Sequence, residues 1–290
     1  MNAVHRAIIP AAGFGTRMLP AAKAMPKELL PILNRPTIQY VVEEAAEAGA
    51  NDVLLIVSRD KRAIEDHFDR NAELEDRLNR SGRRELLATI DDLLKRVRLH
   101  SVRQREQRGL GDAVAQAEQH VGNDPFLCML GDTIFSGDVG PAWQLAEAHA
   151  KLGTTVIGLE EVPPDRVARY GIIGGTFIGN GMLKIDALVE KPDAKSAPSR
   201  MAIAARYVLM PSIFDCLRQT KAGRGGEIQL TDALQILLKR EPVHGVLLKS
   251  QRHDIGSVAD WLKANLLFAR RDAALWKELE PIIDQAKHGV

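Results

Sequence analysis

Ile8-Ile9-Pro10-Ala11-Ala12-Gly13-Phe14-Gly15-Thr16-Arg17-Met18-Leu19-Pro20 carries a buried apolar strand, Val4 to Pro10, into a turn of small residues, Ala11 to Thr16. Where side chains are this small, the backbone can approach a ligand closely and its N–H groups can point at phosphate oxygens. The stretch lacks the third glycine of G-x-G-x-x-G and the Gly-Lys-Ser/Thr of a P-loop, so neither template fits. Taken alone it reads as an ordinary strand-to-helix turn. The cations and prolines downstream of it change that reading. Arg17, Lys23 and Lys27 lie in a segment punctuated by Pro20, Pro26 and Pro31, and prolines this dense favour an extended loop over a helix. Three cations on a stiffened loop beside a backbone anion nest suit a polyphosphate, whose transfer needs positioning and charge neutralisation.

Outward from this turn, buried strands alternate with helical patterns. Pro36 to Ala48 places Ile38, Val41, Val42 and Ala45 on one helical face and stops at Gly49. Val53 to Val57 and Phe126 to Leu130 are continuous apolar runs, as in strands covered on both sides. Helical stretches fall at Arg59–Phe68, Glu73–Arg96 and Leu110–His120, with a strand at Val97–Gln104. This alternation implies parallel strands joined by right-handed crossovers. After Gly153 strands dominate: Thr154–Leu159, Ile172–Ile178, Met182–Val189 and Ala202–Met210. Gly179-Asn180-Gly181 marks a hairpin between the second and third of these. Helices return at Pro211–Gln219 and Ile228–Lys239, a strand comes next at Val243–Leu248, and two helices lie between Ser257 and Lys287. The reading is one α/β domain over residues 1–290: a first half to residue 152, a β-rich insertion in the second half to residue 256, and C-terminal helices over 257–290.

Composition sets the limits. With 290 residues, 45% hydrophobic, the chain can bury a core without staples. Its 39 Lys and Arg against 38 Asp and Glu argue against a broad face for nucleic acid or an anionic membrane. Aromatics at 4% disfavour base-stacking platforms. Cys128 and Cys216 are too few for a disulfide framework. Apolar runs of about eight residues fall short of the ~20 that span a bilayer, and no leader-like segment stands at the N-terminus. The expectation is a soluble cytoplasmic protein that handles anions, if at all, with a few focused cations.

Several other short segments carry chemical groups. Asp132 comes just after the strand ending at Leu130, where open α/β sheets bind ligands, although an aspartate there can also cap a helix. Gln104 opens the arginine-rich loop Arg103–Arg108, which leads into Gly109-Leu110-Gly111-Asp112-Ala113-Val114. Glu190-Lys191-Pro192 ends a strand, as surface charge often does, and His253-Asp254-Ile255-Gly256 lies beyond another. The last tetrad also occurs in HD-type metal phosphohydrolases, but those are all-helical, and the other histidines here show no ligand spacing.

Together these segments resemble, in order from Ile8 to about Trp261, the sugar-1-phosphate nucleotidylyltransferases. They are most similar to the bacterial UTP–glucose-1-phosphate uridylyltransferases, or UDP-glucose pyrophosphorylases. The long helical stretch Glu73–Arg108 resembles these more than the shorter thymidylyltransferases. The resemblance implies a Rossmann-like, mixed but mostly parallel sheet flanked by helices, with a nucleotide-binding half and a sugar-phosphate-binding half. It implies Arg17, Lys27 and Lys191 as catalytic cations. Ala11, Ala12, Gly13, Gly15, Thr16, Glu28, Gln104 and Gly109 would line the nucleotide, with Gln104 both donating to and accepting from the uracil edge. Gly171, Glu190 and Lys191 would hold the sugar phosphate, and Asp132 and Asp254 would ligate Mg²⁺. UTP and glucose 1-phosphate are the implied substrates, and a homodimer or homotetramer the implied assembly.

The chain departs from the family pattern at Ala22, Asp112 and Gly226, where Thr, His and Asp are usual, and at Ala205, where Gly is common. In Gly225-Gly226-Glu227-Ile228-Gln229-Leu230-Thr231-Asp232-Ala233 the remaining family positions agree, and helix capping and pocket-wall packing are expected. Two alternatives stay open: a nucleotidyltransferase for dTTP or another sugar 1-phosphate, and a weakly active regulatory paralogue.

Overall fold

The structure, a computed structural model, describes residues 4–223 and 226–288. Gly225, part of the Gly225–Ala233 motif, lies outside the described residues. The strands are β1 (Arg6–Pro10), β2 (Pro31–Ile32), β3 (Arg35–Pro36), β4 (Asp52–Val57), β5 (Arg98–Arg103), β6 (Phe126–Met129) and β7 (Thr133–Ser136). They continue with β8 (Thr155–Glu161), β9 (Gly171–Gly179), β10 (Met182–Glu190), β11 (Met201–Leu209), β12 (Val243–Leu247) and β13 (Gln251–Asp254). One sheet takes nine of them in the order β5-β4-β1-β6-β11-β8-β12-β10-β9. β4 and β6 flank β1 in parallel, and β5 continues in parallel on β4. β11 runs antiparallel to both β6 and β8, so the β-rich stretch after Gly153 is continuous with the first-half sheet.

Burial explains this order. Ile8, Ile9, Phe126 and Leu127 are wholly buried, with helices covering both faces of the sheet. One face packs on the helices Thr37–Glu47 and Pro141–Leu152, and the other on Ser212–Gln219 and Leu230–Leu238. Each such apolar side chain contributes about 1.5–3 kcal/mol when fully buried. Cys128, in the middle of β6, is buried and free, and burial pushes its thiol up to about 12. No helix among the described residues is long and apolar enough to cross a membrane.

Four local readings change: Glu73–Arg96 divides into Ala72–Arg80 and Ala88–Arg96 about the 3₁₀ turn Arg84–Leu87. The proline-rich loop forms three single 3₁₀ turns, Thr16–Met18, Ala21–Lys23 and Lys27–Leu29, instead of a fully extended path. Leu110–His120 divides into Leu110–Ala115 and Glu118–Val121. The helix read from Ile228 begins at Leu230, because the Ile228 backbone is occupied elsewhere: its N–H donates to Arg108 O at 2.7 Å and its C=O accepts from Gly111 at 2.8 Å.

β11 carries one of the buried charges of the fold. The Arg206 side chain is 0% exposed. It donates to both Glu44 carboxylate oxygens, at 3.0 and 2.8 Å, and to Thr133 O at 2.7 Å. Its guanidinium lies over the Phe135 ring at 4.8 Å. Glu44 also accepts the Ala142 N–H at 3.0 Å, at the start of the Pro141–Leu152 helix. Next to it, Ala205 has φ +58° inside the irregularity between Ile203 and Tyr207. That left-handed conformation costs a side-chain-bearing residue about 1–2 kcal/mol, which accounts for glycine being the common residue there.

Urea unfolding measures both effects. Arg206→Met leaves Glu44 uncompensated and lowers stability by about 3–5 kcal/mol, whereas Arg206→Met with Glu44→Gln recovers a large part of that loss. Ala205→Gly raises stability by about 1 kcal/mol by relieving the left-handed strain.

Candidate active site

The turn after β1 is anchored where Ala11 donates to Ile56 O at 2.8 Å, with Ala11 and Ala12 buried and Gly13 and Phe14 exposed. Gly15, at φ +66°, rests on the aliphatic stem of Lys27, whose Cδ lies 3.3 Å from where a Cβ would stand. The Lys27 ammonium, led beneath the turn, donates to Asp132 Oδ2 at 2.5 Å. Glu28 turns the other way. It is 1% exposed and accepts from Lys61 Nζ at 2.6 Å, so its carboxylate is tied to Lys61 beneath the loop. Burial pushes the Glu28 carboxyl up against the opposing pull of Lys61 and Lys27.

The two aspartates separated by more than a hundred residues meet through the β7–β13 ladder. Asp254 pairs with Thr133 in that ladder, and Ile255 N–H donates to Asp132 O at 2.9 Å. Burial and then Asp132 push the Asp254 carboxyl up, offset only in part by Arg252, Arg17 and Lys27. Burial acts on Asp132 the same way, but Lys27 and Arg17 outweigh it and hold that carboxyl below the usual range. Burial also pulls the Lys27 ammonium down, yet Asp132, Glu28 and Asp254 prevail and hold it above the ordinary lysine value. Gly256 leaves the space in which Arg17 and Asp254 approach, since a Cβ there would stand 2.9 Å from Arg17 Nη2 and 2.9 Å from Asp254 Oδ1.

From the other half, the β9–β10 ladder sets Gly171 opposite Glu190. Glu190 Oε2 accepts from Thr231 Oγ1 at 2.8 Å, and Lys191 Nζ lies 3.2 Å from Glu190 Oε1. Lys191 has φ +46°, held by its N–H donating to Tyr170 O at 3.0 Å, and its side chain stays half-exposed. A cavity of about 250 Å³ brings together Arg17, Asp132, Asp254, Gly171, Glu190 and Lys191. It shares a wall with a second of about 520 Å³ that Arg17, Lys191 and Asp254 also line. Gln104 and Gly109 stand beside this cleft, reached through Leu110, which lines it.

Gln104 differs from the two-way reading of its amide. Its nitrogen donates to Asp112 Oδ2 at 2.7 Å and to Gly109 O at 3.2 Å, so both N–H groups are used within the protein.

Arg252 was not legible as a site residue. It stacks on Tyr170 at 4.3 Å, pairs with Glu160 and lines both cavities. The available signal was its spacing two residues before Asp254 on a strand, which puts both on one face. His253 points its imidazole to the other face, against Ser136 at 2.8 Å and the Phe268 ring, so the ring is engaged away from the Asp254 carboxylate. Among the described residues no three His, Cys, Asp or Glu side chains form a metal cage. Two carboxylates at neighbouring ladder positions, one of them pushed up by the other, fit a hard divalent cation that takes its remaining ligands from phosphate and water.

Residues 6–271 match the Nucleotidyl transferase family. The chain belongs to that family. Within it, the UTP–glucose-1-phosphate uridylyltransferase YngB of Bacillus subtilis is 47% identical over 262 residues, 90% of this chain and 88% of that protein. A UTP-bound UGPase from Acinetobacter baumannii superposes with a TM-score of 0.89 at 35% identity, over 97% of this chain and 99% of that one. A UDP-glucose pyrophosphorylase complexed with UDP-glucose superposes with a TM-score of 0.86 at 36% identity, over 92% of this chain and 99% of that one.

In a nucleotidyl transferase built this way, Gly256→Ala displaces the flexible end of Arg17 and crowds the Asp254 carboxylate without cutting into the core. Its expected effect is a fall in nucleotidyl transfer of about 10²-fold from misplacement by about an ångström, with the urea midpoint nearly unchanged. Full activity in the folded variant contradicts the placement of Arg17.

Proposed function

We propose that this chain transfers a uridylyl group from UTP to α-D-glucose 1-phosphate, yielding UDP-glucose and pyrophosphate. The observation that carries the reading is the convergence of Arg17, Asp132, Asp254 and the adjacent pair Glu190–Lys191 on one cleft from four separate segments. The names of the 47%-identical relative and of the two superposed structures support the nucleotide and the sugar.

A sugar-phosphate oxygen attacks the α-phosphorus of UTP in line. The new P–O bond forms as the bond to the β-phosphate oxygen breaks, and pyrophosphate leaves. The attacking phosphate is already anionic, so no general base is required. The obstacle is the meeting of two polyanions, and the residues answer it with charge. Lys191, set at the cleft by its strained backbone, holds the attacking phosphate. Glu190, already carrying the Thr231 hydroxyl, accepts from sugar hydroxyls, and Gly171 lets the hexose lie against the backbone. Arg17 and Lys27 take charge on the pyrophosphate, while the turn from Ala12 to Thr16 offers backbone N–H groups to the phosphates. Glu28 acts through Lys61 and Lys27 to hold the loop in place. Asp132 and Asp254 would hold Mg²⁺, which supplies charge neutralisation on the phosphates when bound.

Purified chain is expected to release pyrophosphate from UTP plus glucose 1-phosphate, to stop on chelation of divalent cations, and to recover with Mg²⁺. Asp132→Asn and Lys191→Ala each lower the rate by about 10²–10³ while keeping the wild-type circular dichroism. A panel of UTP, dTTP, CTP and GTP against several sugar 1-phosphates checks the specificity. Preference for another nucleotide or sugar overturns the assignment, and near-wild-type rates in either folded variant overturn the roles.

A further inference from the structure

Asp112 is 5% exposed and holds two partners: its Oδ1 accepts from Arg108 Nη2 at 2.9 Å and its Oδ2 from Gln104 Nε2 at 2.7 Å. The Gly109 carbonyl takes the same Gln104 nitrogen at 3.2 Å. A carboxylate and a peptide carbonyl only accept, so turning the amide over would set its oxygen against two acceptors. That fixes which end of the amide stays available, a choice that often goes undetermined for glutamine. Gln104 Oε1 has no hydrogen-bond partner among the described residues and is not among the buried unpartnered side-chain atoms there.

The surrounding backbone leaves little room for another arrangement. Gln104 N–H donates to Val57 O at 2.9 Å at the end of β4. Gly109 has φ +101°, and a Cβ on it would stand 2.7 Å from Ile228 O. Leu110, the next residue, lines the cleft that holds Asp132 and Lys191.

We propose that Asp112 is the positioning residue for base specificity: it locks Gln104 as a one-way acceptor, so the base seated against it must present a ring N–H. This rests on the uridylyl-transfer reading and deepens it. Uracil offers N3–H at its edge, whereas the bare N3 of cytosine or N1 of adenine would set a lone pair against the glutamine oxygen. Thymine carries the same imide and guanine a ring N1–H, so this device turns away cytosine and adenine and leaves UTP, dTTP and GTP to be told apart elsewhere.

The test compares kcat and KM for UTP and CTP, at saturating glucose 1-phosphate, in wild type, Asp112→Asn, Gln104→Ala and the double variant. An asparagine at 112 can donate as well as accept, which frees the amide to turn. Asp112→Asn is expected to raise the KM for UTP about tenfold with a smaller change in kcat, and to lower the UTP-to-CTP ratio of kcat/KM by about tenfold. In the Gln104→Ala background the same change should move that ratio less than about twofold, because Asp112 acts through Gln104. An unchanged ratio in folded Asp112→Asn, or an effect undiminished without Gln104, overturns the proposal while leaving uridylyl transfer standing. Wild-type chain that releases no pyrophosphate from UTP overturns both. The wild type alone supplies a further check, independent of variant folding: 3-methyluridine triphosphate, which lacks the N3–H, should fall at least about tenfold in kcat/KM, and use equal to UTP overturns the assignment.

Discussion

Two carboxylates that belong to distant parts of the chain are held side by side, and much of the site is arranged around that charge. The β7–β13 ladder and the Ile255-to-Asp132 backbone bond leave Asp132 and Asp254 no freedom to separate. Left alone, such a pair would resist joint ionisation. Arg252, Arg17 and Lys27 offset that repulsion. Lys27 is pressed beneath Gly15, Arg17 is admitted by Gly256, and Arg252 is clamped between Tyr170 and Glu160. The net charge of +1 conceals this local organisation, because the cations that matter are few and their excess is cancelled elsewhere on the surface.

The base side and the sugar side are mechanically joined. Ile228 hydrogen-bonds both Arg108 and Gly111, beside Gln104 and Asp112. Three residues later Thr231 donates to Glu190. One short segment thus touches the groups assigned to the nucleobase and those assigned to the sugar. Local strain is concentrated in the same region. Lys191 and Ala205 both hold positive φ, and both line the cleft. Such conformations persist only where surrounding contacts over-determine them.

Much of the fold was legible because its signals are local. Continuous apolar runs at Ile8, Val53 and Phe126 marked strands buried on both faces, and Gly179-Asn180-Gly181 marked the hairpin. The antiparallel insertion of β11 was not legible, because strand direction leaves no trace in the periodicity of a single strand. Of the site, the residues on motifs could be named, but their partners could not. Lys61 under Glu28, Arg252 against Glu160 and Glu44 against Arg206 are all long-range ion pairs, and pairing across 33 to 162 residues has no sequence period. Asp112 could be seen only as a departure from the family; its hold on the Gln104 amide required the coordinates.

The requirement that Asp132 and Asp254 act as one cation-binding unit is best tested by Mn²⁺ binding, followed by electron paramagnetic resonance in the presence of UTP. One tightly bound Mn²⁺ per chain is expected in the wild type, with affinity lost in both Asp132→Asn and Asp254→Asn. Mn²⁺ bound equally well by the wild type and both folded variants would contradict it.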